Sequence, residues 1–303
     1  MIFIFLIILS SYVFSEGLSS ADFLKIVDLP RNIAMADSRV ALAEQIEALN
    51  LNPAGLANLE KRNVVFSHTE WIEDIGLEYF GYGQKIFNGG AGLSIFFLHQ
   101  GEFDNLDLEG NIEGNINAYD LAVNIGYGKN FSSLHFDYSL GGALKFINRK
   151  LAKYSSSTFA IDLGFKQKMQ LLKNKITTIG LSLQNIGPGV KFINESYSLP
   201  IIFRIGIGQH AYQSGKHSLY LGISLVNYFI DKVTTLNTGI EYLFSDIISI
   251  RAGYTIGESV PYNVSAGLGL VREYKGVKYI FDLSLSPNYI LGNTYSISIC
   301  AQF

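Results

Sequence analysis

Apolar and polar residues alternate with a period of two along most of this chain, from about residue 63 to residue 303. The last stretch is the clearest. Apolar side chains take the odd positions from Tyr295 to Phe303, and polar or small ones take the even positions from Thr294 to Gln302. Because successive side chains on a strand point to opposite faces, this alternation predicts β-strands.

About 14 such segments can be counted, each about ten residues long. Each is apolar on one face and carries polar residues or Gly on the other. An even number of such segments is typical of a bacterial transmembrane barrel, whereas soluble sandwiches have shorter strands and more Lys and Glu outside. We therefore predict an all-β fold, an antiparallel transmembrane β-barrel of about 14 strands. The segments begin near Asn63, Ile75, Gly89, Asn117, Leu134, Ser157, Ile176, Ser198, Ser218, Thr235, Ile247, Tyr262, Val277 and Asn293.

The connections between these segments alternate in length, which supports the count. With the N-terminus on the periplasmic side, every second connection should be a short periplasmic turn. Short turns are predicted at 87–89, 129–132, 172–175, 213–216, 245–246 and 273–276. The alternate, extracellular set contains the long stretches 101–115, 148–156, 186–196 and 286–292.

The first residues resemble an export signal. Residues 2–9 are an unbroken apolar run, and Val13 and Ser15 suit a signal peptidase that cuts before Glu16. The run is too short for a membrane-spanning helix. It lacks a Lys or Arg near Met1, so a buried N-terminal strand is the alternative. We predict a signal peptide over residues 1–15.

Residues 16–62 differ from the rest of the chain and are predicted to form a short helical hatch ahead of a barrel at 63–303. Residues 41–49 are rich in Ala, Glu and Leu, which favours a helix. Asn52 is a favoured N-cap and Pro53 a favoured first helical residue, so 53–58 should form a second helical turn. The segment is too small to be a domain by itself. It should plug the lumen or rest at the periplasmic mouth.

The composition is unusual for a soluble enzyme. Only 16% of the 303 residues are charged, while 30 are Gly, 21 Phe and 18 Tyr. A net charge of −3 gives no sign of the basic surface that nucleic-acid-binding proteins carry. The single cysteine, Cys300, excludes an intramolecular disulfide framework.

Constellations typical of catalysis are not apparent in the sequence. The histidines are scattered without metal-ligand spacing, and there is no P-loop, nucleophile elbow or Cys pair. We therefore expect no enzyme activity, no cofactor and no metal. Several charges fall on the predicted lumen face, where most should pair with one another because buried charges need partners. A role in a substrate path is the alternative for Asp120, Asp137, Asp162, Arg204, Glu241, Arg251 and Asp282.

Four N-terminal blocks resemble the signature of the PorV/PorQ family of outer-membrane barrels, which is related to FadL-type long-chain fatty acid transporters. The blocks are Asp22-Phe23-Leu24-Lys25-Ile26, Ala34-Met35-Ala36, Val40-Ala41-Leu42-Ala43 and Asn52-Pro53-Ala54-Gly55-Leu56-Ala57. A second family segment is similar to residues 184–192, which include Gly187-Pro188-Gly189, followed by Leu199-Pro200. The chain departs from the family at Ala36-Asp37-Ser38, where a glycine pair is common, and at Val27-Asp28-Leu29-Pro30, where a Gly-rich stretch is usual.

The resemblance implies a 14-stranded barrel in the bacterial outer membrane with the N-terminal segment as a hatch. It implies two alternative functions: a channel for hydrophobic small molecules, or a docking partner in a protein secretion system. The modest loops, at most about 15 residues, favour transport. Partners would be outer-membrane lipid, the barrel-assembly machinery that reads a terminal strand such as the one ending at Phe303, and a hydrophobic ligand or secretion partner. Asn52 to Leu56 could also be a simple capped turn, and Gly187 to Gly189 a rigid loop.

Overall fold

The computed structural model describes residues 18–71, 75–106, 112–132, 137–172, 175–192, 195–257, 264–288 and 292–303. The predicted signal peptide lies outside the described residues, as do the predicted strand starts at Leu134 and Tyr262.

In the described part of the chain, fourteen strands form one closed antiparallel barrel, as the alternation predicts. Each strand pairs with its neighbours in chain order, and the first pairs with the last. The barrel strands are β1 Asn63–Glu70, β2 Gly76–Ile86, β3 Gly89–Leu106, β4 Ile112–Ser132, β5 Asp137–Leu151, β6 Tyr154–Leu172, β7 Lys175–Ile186, β10 Ile202–Ser214, β11 His217–Tyr228, β12 Val233–Phe244, β13 Ile248–Ile256, β14 Val264–Tyr274, β15 Val277–Asn288 and β16 Gly292–Gln302. Between β7 and β10, β8 Val190–Phe192 and β9 Glu195–Tyr197 form a small separate hairpin.

The outer wall of the barrel is apolar. In β16, Tyr295, Ile297 and Ile299 are exposed while Ser296 and Ser298 are buried, as the alternation predicts. The same split recurs around the barrel. A closed barrel with an apolar outer band is the form in which strands cross a bilayer, so the chain is a bacterial outer-membrane protein.

No helix among the described residues is long and apolar enough to cross a membrane.

Two predicted loops are largely strand, and those predictions were wrong. In the stretch 148–156, β5 continues to Leu151 and β6 begins at Tyr154, with Ala152 in the left-handed region at φ 54°. In the stretch 101–115, β3 continues to Leu106 and β4 begins at Ile112. The polar residues that suggested loops belong instead to the paired ladders β3–β4 and β5–β6.

The N-terminal segment (residues 18–62) consists of short helices rather than one long one. Its elements are a 3₁₀ turn at Asp22–Lys25, an α-helix at Pro30–Ala34 and 3₁₀ helices at Gln45–Ala48 and Pro53–Asn58. The predicted turn at 53–58 is present, and Asn52 Oδ1 accepts a 3.2 Å hydrogen bond from Ala54 N. The helix predicted over 41–49 is confirmed only at Gln45–Ala48, as a 3₁₀ helix, because Gln45 has a φ of 60°, which an α-helix does not allow.

The apolar belt makes a prediction about stability. Leu268, on the outer face of β14, pairs with Ile250 and Leu283, and all three are about half exposed. We expect Leu268→Arg to lower the free energy of unfolding in lipid vesicles by about 2–4 kcal/mol, because a charge would enter the hydrocarbon layer. Leu268→Met, which stays apolar, should change it little. Equal stability of the two variants in urea titrations would show that this face is not in lipid.

Candidate functional site

The N-terminal segment runs through the barrel from one mouth to the other. At the extracellular mouth, Ser19 N donates to Asp231 Oδ1 over 3.1 Å, and Ser20 N donates to Ser198 O over 2.8 Å. At the periplasmic mouth, Arg62 and Phe303 exchange two backbone hydrogen bonds of 3.0 Å. The segment therefore occupies the lumen along its length.

Glycines on the lumen face of the strands let the backbone of this segment lie against the wall. A Cβ on Gly141 would be 2.2 Å from the carbonyl carbon of Pro53, and one on Gly180 would be 2.5 Å from the carbonyl oxygen of Val40. Many of these glycines are paired across neighbouring strands. We call the set the glycine cradle: Gly90, Gly128, Gly141, Gly164, Gly180, Gly222, Gly239 and Gly253.

Six charged side chains join the middle of the segment to β12, β13 and β15. This central ion-pair cluster contains Arg31, Arg39 and Glu47 from the segment and Glu241, Arg251 and Asp282 from the barrel. Arg251 donates to Glu241 over 2.7 Å and to Asp282 over 2.6 Å, and Arg31 donates to Glu241 over 2.8 Å. Burial favours the neutral form of Glu47, but the two segment arginines outweigh it and lower the pKa of that carboxyl.

The other predicted lumen charges pair with residues that the sequence did not single out. Asp120 accepts from Arg149 over 2.6 Å, Asp162 lies 3.0 Å from Lys145 Nζ, and Arg204 lies 3.0 Å from a carboxylate oxygen of Asp37 in the segment. All three predicted residues are buried. Mutual pairing among the predicted set is confined to Glu241, Arg251 and Asp282.

Asp137 is the exception, and its placement in the lumen was wrong. It is the first residue of β5 and is exposed at the periplasmic rim. Its carboxylate accepts a hydrogen bond from the hydroxyl of Ser132, its partner in the β4–β5 ladder. The alternation shows which face of a strand a residue lies on, but not its height along the barrel axis. A residue at the rim can therefore fall in the same alternating positions as residues inside the lumen.

A cavity of about 560 Å³ lies between the N-terminal segment and the extracellular half of the barrel. Much of its wall is apolar, formed by Phe23, Ile26, Val27, Ile33, Trp71, Ile75, Leu98, Val233 and Val264. One side is polar, where Thr235, Asn237 and Thr255 project from β12 and β13. Lys25 bridges Asp22 and Asp231 at the cavity edge, with Nζ–Oδ distances of 2.9 and 2.7 Å.

The family-like block 22–26 contributes to the cavity lining, whereas the block that begins at Asn52 and the loop at 187–189 lie away from the cavity. Asn52 is fully buried, and besides capping the helix it donates to Val40 O over 2.9 Å and to Phe165 O over 3.1 Å. Pro53 to Leu56 continue from it along the glycine cradle. The loop Gly187-Pro188-Gly189 packs on β6, where Thr158 donates to Pro188 O over 2.9 Å.

No metal-binding group of three or more His, Cys, Asp or Glu side chains occurs among the described residues. His68 and His99 lie on the outer wall, and His68 Nδ1 is 2.7 Å from Glu78 Oε1. His210 stacks on Tyr220 and His217 on Tyr242, while His135 lies outside the described residues.

A buried carboxyl in the segment makes stability depend on pH. Burial raises the pKa of Asp28 from 3.8 to about 6, although Asn50 and Asn32 donate to its oxygens. Between those values the folded chain keeps a proton that the unfolded chain releases, so stability should fall as pH rises through this window. We expect this loss to reach about 3 kcal/mol and to be absent from Asp28→Asn in urea titrations across the window. An identical pH slope in both proteins would contradict it.

The barrel and its lumen segment give this chain the fold of FadL-type outer-membrane barrels. CymD, a monoaromatic hydrocarbon channel, is 11% identical with a TM-score of 0.60, covering 91% of this chain and 97% of CymD. The toluene transporter TbuX of Ralstonia pickettii is 10% identical with a TM-score of 0.54, covering 90% and 97%. A Pseudomonas aeruginosa FadL homologue is 9% identical with a TM-score of 0.51, covering 91% and 98%.

Residues 31–200 match the model of an uncharacterised protein family, UPF0164. The match spans more than half of the 303 residues, so the chain belongs to this family. None of the curated proteins matches it.

Proposed function

We propose that this protein is an outer-membrane channel that admits small hydrophobic molecules, with the N-terminal segment as its gate. The observation that carries the proposal is the apolar cavity of about 560 Å³ above that segment. Small-molecule sites are commonly concave, mostly apolar and roughly 300–1,000 Å³ in volume. A hydrophobic compound that leaves water for this cavity gains free energy from the apolar area it buries.

The route below the cavity requires the segment to move. The glycine cradle holds the segment backbone so closely that a single added Cβ would clash. A molecule in the cavity therefore passes toward the periplasm only when the segment shifts. The segment continues into β1 at Asn63, and along its length hydrogen bonds and ion pairs hold it to the wall, so a ligand that binds the shifted state better can displace it.

The structural neighbours support the transport class. CymD is a monoaromatic hydrocarbon channel and TbuX is a toluene transporter, and their barrels share this fold. The alternative role, a PorV-like docking partner for secretion, stays a prediction of the sequence resemblance. Likewise, recognition of the strand ending at Phe303 by the assembly machinery stays a prediction.

The proposal is tested by filling the cavity. Thr235 is buried on the lumen face of β12 and lines the cavity, whereas Leu236 is the next residue and faces lipid. We expect Thr235→Phe to slow the uptake of the apolar dye N-phenylnaphthylamine several-fold in cells that express the barrel. Leu236→Phe adds a ring at the same height outside the barrel and should leave uptake unchanged.

Surface immunoblots and heat-modifiability on gels would establish equal amounts of folded barrel in both strains. Wild-type expression that gives no more dye uptake than an empty vector would contradict the proposed function. So would a Thr235→Phe variant, present at normal level, that takes up dye at the wild-type rate.

A further inference from the structure

Two residues of the cavity wall each carry a buried acceptor atom without a donor. Asn237 is 3% exposed and Asp37 is 5% exposed, and both line the cavity wall. Among the described residues, no group donates a hydrogen bond to Asn237 Oδ1 or to Asp37 Oδ1. An unpaired buried acceptor costs about 1–3 kcal/mol, so a donor on a bound molecule would recover free energy here.

Two threonines are neighbours of Asn237 on the same face of the sheet. Thr255 stands directly opposite Asn237 in the β12–β13 ladder, and Thr235 lies two residues earlier on the same face. Both threonines line the cavity. A threonine hydroxyl can donate as well as accept, so this wall can satisfy both the hydrogen and the oxygen of a ligand hydroxyl.

The charges around the cavity disfavour an anion. The cations in its described lining are Lys25, which pairs with Asp22 and Asp231, and Arg149, which pairs with Asp120. The fourth acid of the lining, Asp37, is engaged by Arg204 through one oxygen only. A carboxylate in the cavity would meet acceptors and acids, with each lining cation already paired.

We infer that the cavity selects uncharged apolar molecules that carry one hydrogen-bond donor, such as long-chain alcohols or phenols, over carboxylates and over molecules without a donor. This inference rests on the proposed function and names the ligand class of the same cavity. The apolar wall would hold the hydrocarbon part, and the Asn237 side chain would turn its Oδ1 toward the cavity to accept a hydrogen bond from the hydroxyl.

The cavity contains its own reporter. Trp71 is the single tryptophan of the chain and lines the apolar wall. Its fluorescence should respond to a molecule that enters beside it. The barrel is best measured in lipid nanodiscs, because detergent tails would compete for an apolar site.

The test compares three probes of equal chain length: octanol, octyl methyl ether and octanoate. At about pH 8 octanoate is ionised, and the ether has an acceptor but no donor. We expect octanol to bind about tenfold more tightly than the ether, the worth of one hydrogen bond, and octanoate to bind most weakly. Asn237→Leu should reduce octanol to the affinity of the ether and leave the ether unchanged. Leu236→Val, on the lipid face of the same strand, should alter none of the three.

Equal affinities for octanol and the ether in the wild-type protein would overturn the inference, and so would tightest binding of octanoate. Both results leave the proposed channel standing, because the molecules still enter the cavity. No Trp71 response to any probe from a folded, heat-modifiable barrel would contradict the proposed function and the inference together. The wild-type comparison decides the matter even if Asn237→Leu fails to fold, and Thr255→Val is a second variant for the same wall.

Discussion

Gly141→Val is expected to displace the N-terminal segment and raise ion conductance several-fold in planar bilayers. The first side-chain carbon at this position would lie 2.2 Å from Pro53 C and 2.3 Å from Ala54 N, well inside van der Waals contact. The wall cannot yield easily, because Gly141 pairs with Gly128 and Gly164 in a continuous ladder. The segment must therefore move away from this wall, and water and ions would pass through the space that it leaves.

The neighbouring glycine provides a matched control. Gly142 faces outward, and a Cβ there would lie at an ordinary 3.7 Å from its nearest neighbour, the carbonyl oxygen of Asp162. We expect Gly142→Val to conduct as the wild-type protein does. If both variants conduct alike, the segment does not obstruct the pore, and the docking role would become the better reading of the fold.

Arg251→Met is expected to lower the free energy of unfolding by about 3–5 kcal/mol, the usual cost of removing one partner from a buried ion pair. Arg251 is 3% exposed and donates to both Glu241 and Asp282. Its loss would leave Asp282 without its cation and Glu241 with Arg31 alone. Because Arg31 belongs to the N-terminal segment, the segment should also become easier to remove by protease.

Arg272→Met serves as the control for this prediction. Arg272 lies on the next strand, β14, but is exposed near the periplasmic turn. A surface change of this kind is usually worth less than about 0.5 kcal/mol. Urea unfolding in lipid vesicles would compare the two variants, and similar losses from both would show that the central ion-pair cluster does not hold the barrel together.

The barrel could be predicted from the sequence because lipid imposes a strict rule on each strand. Outward side chains within the bilayer are mostly apolar, as at Ile297 and Ile299, so the alternation can be recognised in the sequence. Outside the bilayer that rule lapses. Ser155 and Ser156 looked like loop residues but belong to β6, where they pair with Lys150 and Arg149 of β5.

Inside the lumen, the sequence showed which residues face inward but not what they meet. Asp162 was placed correctly on the lumen face. Its partner Lys145 lies on the neighbouring strand β5, and the alternation does not show which residues of two strands lie at the same height in the barrel. The region 41–49 has helical composition, but contacts such as that of Gly180 with Val40 fix an irregular backbone there. The recurring lumen-face glycines were the available signal that a chain segment lies against the wall.

The cavity was not foreseen, because its lining comes from separate parts of the chain. Phe23 belongs to the N-terminal segment, Trp71 to the connection after β1, and Asn237 to β12. Each is unremarkable in its own stretch of sequence. Only the barrel closure and the path of the segment bring them together.

The most direct test of the gate is a reversible lock on the N-terminal segment. Cβ of Ala41 lies 3.3 Å from a Cβ built on Gly208, close to the roughly 3.5–4.5 Å that a disulfide needs. The same Cβ would meet the side chain of Leu42 at 2.5 Å, so that side chain must turn aside, and the Gly208→Cys single variant is the baseline for this effect. Ala41→Cys with Gly208→Cys, in a Cys300→Ser background, would tie the segment to β10. The account predicts that N-phenylnaphthylamine uptake falls when the disulfide forms and returns when dithiothreitol reduces it, with each single-cysteine variant unaffected. Uptake at the wild-type rate through the fully oxidised barrel would contradict the account, because molecules would then cross without moving the segment.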